Sequence, residues 1–139
     1  MVAYIKKEVA PAYFDFMFDW DYERYLLVGG YGSAKSYHVA FKLICKLMEE
    51  RRKALVVREV FDTIQDSCYD LLCEILEGLG MYTDNVADWR RDQSLVLCQK
   101  SPLKIKFHNG SSIIFKGMDK PTKLKSINGV SIVWLEECS

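Results

Sequence analysis

The apolar positions of this chain change period several times, and each change marks an element. RYLLVGG (24–30) is apolar without alternation and closes on glycines, which predicts a short buried strand. Ala40, Leu43, Ile44 and Leu47 then fall on one face, predicting a helix from about Lys35 to Glu50 that ends in the charged EERRK. KALVVR (53–58) is a second β-rich run. After it Phe61, Ile64, Cys68, Leu72, Ile75 and Leu79 recur at three- and four-residue spacing, predicting an amphipathic helix closed by Gly78 and Gly80. Strand, loop, helix, strand, helix is the opening of a parallel α/β sheet. A polar stretch containing TDN and WRRDQ follows and predicts no element of its own. LKIKFHNGSSIIFKG alternates Leu103, Ile105 and Phe107 with polar residues, turns at Asn-Gly and returns through Ile113–Phe115, a β-hairpin pattern. DKPTKLKSING reads as a loop. VSIVWL (130–135) is a last apolar strand and runs directly into Glu136 and Glu137.

The size suits one domain: 139 residues, 50% of them hydrophobic, support a single core. No apolar run reaches the roughly 18–20 residues of a membrane span, so no membrane partner is expected. The first residues lack the apolar stretch of a secretory signal. Five cysteines include no CxxC pair, and with only two histidines no zinc spacing arises. Free thiols in a reducing, cytoplasmic compartment are the expectation. Net charge is zero but unevenly spread: residues 1–88 carry −5 and residues 89–139 carry +5. Seven lysines against the single acid Asp119 within 100–125 suit either a solvated face or a surface for a polyanion.

Candidate chemistry concentrates at two places. GGYGSAKS supplies Gly29, Gly30, Gly32, Lys35 and Ser36 between an apolar strand and an amphipathic helix. Small residues let backbone N–H groups face phosphates, the helix dipole assists, a lysine reaches the terminal phosphates, and the neighbouring hydroxyl ligates Mg²⁺. The strict pattern has glycine where this chain has Ala34. Alanine is tolerable if that position already lies in the helix, where φ is negative. The second place is the strand end. A phosphate-loop enzyme needs an acid beside the loop for the metal shell and, if it hydrolyses its nucleotide, a carboxylate for the attacking water. Glu136 and Glu137 are adjacent at the end of a strand and point to different sides, so one can serve each role. The hundred residues between loop and acids leave room for intervening strands, as in motor-type ATPases.

In this order the segments resemble the large terminase subunits of tailed bacteriophages, the motors that package DNA into proheads. RYLLVGGYGSAKS is similar to the family's GGRGS[GA]KS loop. ALVVREVFDTIQDSCYDLL resembles the segment after its second strand. SPLKIKFHNGSSIIFKGMDKPTKLKSI resembles its hairpin and lysine loop, and SIVWLEECS its Walker B motif. The resemblance implies a RecA-like P-loop ATPase domain, a parallel sheet flanked by helices with an inserted β-hairpin. Residues 1–139 would be its amino-terminal part, incomplete at the carboxyl end, with a metal-dependent nuclease domain lying beyond. A sheet cut after the Walker B strand would be prone to self-association through its open edge. Residue by residue, the resemblance makes Gly29, Gly30, Tyr31, Gly32, Ser33, Ala34, Lys35 and Ser36 the ATP loop. Ser36 and Glu136 become the Mg²⁺ ligands and Glu137 the catalytic carboxylate. Relatives often carry a loop arginine where this chain has Tyr31, so Arg58 or an arginine from a neighbouring subunit would have to take its part.

The resemblance also implies double-stranded phage DNA, a portal protein, a small terminase subunit and further copies of the chain as partners, in the bacterial cytoplasm. Lys104, Lys106, Lys116, Lys120, Lys123 and Lys125 are the candidate DNA-backbone contacts, or else face a subunit interface or solvent. Two other functions stay open at this point: a nucleotide-binding fragment without turnover, and another P-loop DNA-dependent ATPase of helicase or recombination type. Tyr13, Phe14 or Trp20 could flank the base or simply fill the core.

Overall fold

The computed structural model of the chain describes residues 25–29, 33–119 and 128–136. Strand β1 (Tyr25–Gly29) leads to helix α1 (Ser33–Glu49), then β2 (Lys53–Arg58). A 3₁₀ turn (Phe61–Thr63) and a π-helical turn (Gln65–Tyr69) precede α2 (Asp70–Gly78). Next come β3 (Tyr82–Thr83), α3 (Val86–Arg91), β4 (Val96–Lys100), β5 (Leu103–Lys106), β6 (Ser112–Gly117) and β7 (Val130–Glu136). The seven strands form one sheet in the order β1-β7-β2-β6-β5-β4-β3.

Among the described residues the sheet is antiparallel only around β5. β1 pairs with β7, β7 with β2, β2 with β6 and β3 with β4 in parallel, while β4–β5 and β5–β6 are antiparallel. The hairpin is therefore part of the main sheet, because β6 continues it directly from β2. Its turn also closes a helix. Asn109 Nδ2 donates to the Leu47 carbonyl at 2.8 Å and Ser111 Oγ to the Glu50 carbonyl at 2.8 Å, meeting carbonyls that the end of α1 leaves unpaired. Gly110 makes this approach possible: its φ is +92°, and a Cβ there would lie 2.9 Å from Arg51 Nε.

One sheet face is covered by helices. Ala54, Val56, Cys98, Ile105, Ile113, Phe115, Ile132 and Trp134 meet Ala40, Leu43, Ile44, Leu47, Leu72 and Leu76 in a single buried cluster. The helix expected to run evenly from Phe61 is interrupted, and its own spacing explains why. Ile64, Cys68, Leu72 and Leu76, all buried, recur every four residues. Four residues of regular α-helix overshoot one turn by about 40°. The wider π turn absorbs that drift and keeps Ile64 and Cys68 on the core side. Ser67 contributes by donating its hydroxyl to the Thr63 carbonyl at 2.9 Å.

The polar stretch with no expected element holds β3, α3 and the start of β4. Asn85 caps α3 by accepting the Asp88 N–H at 3.0 Å. Among the described residues Cys45, Cys68, Cys73 and Cys98 are free thiols. No helix among them is long and apolar enough to cross a membrane.

Candidate functional site

Adjacent parallel strands bring the two halves of the site together. β1 and β7 end side by side, Gly29 opposite Glu136. α1 begins four residues after Gly29, so its amino terminus sits at the carboxyl end of both strands. The helix has no acid in its first turn, and its positive end is not neutralised from within.

The central contact spans a hundred residues. Ser36 Oγ donates to Glu136 Oε1 at 3.0 Å. The other oxygen of the same carboxylate, Oε2, accepts the indole N–H of Trp134 at 3.0 Å. Glu136 is 9% exposed and Trp134 fully buried. A carboxylate removed from water in this way needs donors, and the pair supplies one for each oxygen. Residues 134 and 136 share a sheet face through strand alternation. Trp134 thus fixes the direction in which Glu136 presents its oxygens, a role that hydropathy alone does not disclose. The rule of two along a strand that ends in an acid is the signal that could have found it.

The residues expected to form the loop are placed in part. Gly29 ends β1, and Ser33, Ala34, Lys35 and Ser36 form the first turn of α1. Ala34 is thus helical, in the conformation where alanine costs nothing. Gly30, Tyr31, Gly32 and Glu137 lie outside the described residues.

A cleft of about 350 Å³ opens beside the Ser36–Glu136 contact. Ser36, Arg58, Trp134 and Glu136 line its sheet side, and Asp66, Ser67, Asp70 and Glu74 line the opposite wall. Arg58, at the end of β2, therefore shares this cleft, and its Nη1 donates to the Thr63 carbonyl at 3.0 Å. The acidic wall was not expected from sequence. Asp66, Asp70 and Glu74 recur every four residues, a pattern that also suits a solvated helix face.

A second, larger cleft of about 580 Å³ lies at the ends of β4, β5 and β6. Lys100, Lys104 and Lys116 line it together with Phe61, Asp62 and Gln65. Residues 61–70 therefore form a wall with one cleft on either side. Of the expected DNA-contacting lysines, Lys104, Lys106 and Lys116 fall on one sheet face, away from the helix-covered core. The register pairs Lys104 with Ile114 and Lys106 with Ser112, and Lys116 is two residues beyond Ile114. Lys53 joins that face opposite Ser112. Burial, then the charges of Lys106 and Lys53, hold the Lys104 ammonium below the usual lysine range. Lys100 belongs to the seven lysines of 100–125 but was not named as a contact, while Lys120, Lys123 and Lys125 lie outside the described residues.

The chain is similar to known proteins in both sequence and fold. A family model described as phage terminase large subunit matches residues 22–139. The chain is 49% identical over 135 residues to the PBSX phage terminase large subunit of Bacillus subtilis strain 168, covering 97% of this chain and 29% of that protein. It is 35% identical over 119 residues to the terminase large subunit of Bacillus phage SPP1, covering 82% of this chain and 26% of the relative. The chain thus spans less than a third of either relative. In fold it is similar to the large terminase of a thermophilic bacteriophage. The TM-score is 0.57 at 10% identity, over 94% of this chain and 39% of that one. A structure of the same thermophilic phage terminase in complex with ATP-γ-S aligns with a TM-score of 0.50 at 12% identity, over 84% of this chain and 32% of that one.

Proposed function

The chain belongs to the family of phage terminase large subunits, and on that premise we propose that it is the ATP-hydrolysing core of a viral DNA-packaging motor. The observation that carries this reading is the hydrogen bond from Ser36 to Glu136, which joins the loop hydroxyl to the strand-end acid. Mg²⁺ fits this donor set, since it takes hard oxygen ligands and is commonly held by one or two carboxylates with substrate phosphates and water. Ser36 and Glu136 would hold it, and when bound it would neutralise charge on the β- and γ-phosphates.

Apart from that of Trp134, the remaining roles are those the family resemblance implies. Backbone N–H groups of the 29–36 segment cradle the phosphates, and Lys35 reaches the terminal ones. Trp134 keeps Glu136 from turning away. Glu137 orients and deprotonates the attacking water. Arg58 supplies positive charge to the phosphoryl group in the transition state. ATP as the nucleotide is supported by the thermophilic phage terminase complex with ATP-γ-S. Double-stranded DNA, a portal protein, a small terminase subunit and further copies of the chain are the partners this reading carries, in the cytoplasm of a bacterial host. The family favours a packaging motor over a helicase or recombination ATPase.

Steady-state phosphate release by the native full-length protein tests the proposal. Lys35→Ala and Glu137→Gln are each expected to lower kcat by about 100-fold or more, the scale of removing one preorganised group. Glu137→Gln should still bind ATP. A second reading, a nucleotide-binding module without turnover, is favoured by Tyr31 standing where relatives carry arginine. ATP binding with no Glu137-dependent hydrolysis would establish that module in place of the motor.

A further inference from the structure

The carboxyl end of β6 is fastened to the segment that carries Arg58. Met118 N–H donates to the Arg58 carbonyl at 2.9 Å and Asp119 N–H to the Glu59 carbonyl at 3.1 Å. Asp119 Oδ1 in turn accepts the Phe61 N–H at 3.2 Å. Phe61 opens the 3₁₀ turn, and its N–H is one that a helical turn leaves without an internal partner. Three hydrogen bonds therefore hold residues 117–119 against residues 58–61. Gly117 permits the closeness: a Cβ there would collide with Asp119 Oδ1 and stand 2.6 Å from Phe61 N. The same turn ends at Thr63, whose N–H and hydroxyl both donate to the Val60 carbonyl, at 3.2 and 2.7 Å. The Thr63 carbonyl is the group that receives Arg58 Nη1.

From this chain of contacts we infer that Asp119 is a positioning residue for Arg58. Asp119 fixes the start of the turn, the turn fixes the Thr63 carbonyl, and that carbonyl aims the guanidinium in the cleft shared with Ser36 and Glu136. The inference rests on the proposed role of Arg58 in turnover. It also gives the lone acid of the lysine-rich stretch a task distinct from solvation.

The test is a double-mutant cycle on ATP hydrolysis by the native full-length protein. Asp119→Ala is expected to lower kcat by about five- to tenfold, the scale of one hydrogen bond, with KM for ATP changed by less than about twofold. Asp119→Asn keeps an oxygen acceptor and is expected to restore most of the loss. In an Arg58→Ala background Asp119→Ala should have no further effect. Asp119 is exposed, so the alanine variant is expected to fold, as a thermal melt will record. If it does not, Asp119→Glu, with its oxygens one methylene further out, takes its place in the cycle. An impaired Arg58→Ala on which the Asp119 variant adds its full effect overturns the inference while leaving the role of Arg58 intact. An Arg58→Ala with undiminished kcat overturns both.

Discussion

Two clefts flank the wall formed by residues 61–70, and they hold their charges in opposite ways. In the cleft beside β1 and β7, the Glu136 carboxylate is buried and each of its oxygens has a donor, Ser36 or Trp134. In the cleft at the ends of β4, β5 and β6, Lys100, Lys104 and Lys116 line a larger space, with Lys104 and Lys116 only half-buried. The first arrangement admits one geometry, because a buried carboxylate that loses a donor loses free energy at once. The second is a positive field, in which a displaced ammonium is re-solvated at little cost. Such a contrast suits a rigid site for chemistry beside a tolerant surface for a repeating polyanion.

The most severe way to break the contrast is to remove the buried acid. Glu136→Ala is expected to abolish measurable phosphate release. It also leaves the fully buried Trp134 indole N–H without this acceptor, at about 1–3 kcal/mol, read as a drop in denaturation midpoint. Trp134→Phe comes next. It keeps an aromatic ring in the core but deletes the donor to Oε2 and leaves a small void, with about 1–3 kcal/mol of destabilisation expected. Its sharper readout is a fall in kcat larger than the rise in KM, since Glu136 loses its orientation rather than its charge. Ser36→Ala should weaken ATP binding when Mg²⁺ is present and leave binding in chelator nearly unchanged, which a titration with a fluorescent nucleotide can separate.

The basic sheet face should respond more weakly and more evenly. Lys104→Ala, Lys106→Ala and Lys116→Ala are each expected to reduce the salt slope of DNA binding by about one, with no sequence preference. Unaltered slopes would turn that face into a subunit interface or plain solvated surface. The smallest effect concerns pH. The Lys104 pKa is lowered in the folded protein, so folding disfavours its charged form. That penalty is in full force below the lowered pKa. It is relieved as pH rises through it toward the ordinary lysine value of about 10.4. Wild-type protein should therefore gain melting temperature relative to Lys104→Met over that alkaline window.

Much of this was legible in one dimension. The strand–glycine–helix alternation around Gly29 and Lys35, the strand ending in Glu136, and the Asn-Gly turn are local patterns, and local sterics decide them. The stretch 81–95 was not legible. β3 is only two residues long, and α3 is a six-residue helix with no buried residue, so neither shows a hydrophobic period. The break in the second helix was visible only as a four-residue spacing, whose consequence depends on the core that Ile64 and Cys68 must face.

By itself the sequence determined which residue types are on offer: a glycine-rich segment followed by Lys35 and Ser36, and an apolar run leading into Glu136 and Glu137. Tertiary structure alone decided which of these meet. The placing of β7 between β1 and β2 brings Ser36 to Glu136, and the pairing of β6 with β2 makes the hairpin part of the main sheet and sets Asp119 against Phe61. Side-chain period is a property of neighbouring residues. Strand partnership is chosen by the burial of a whole face, and no short window of sequence contains it.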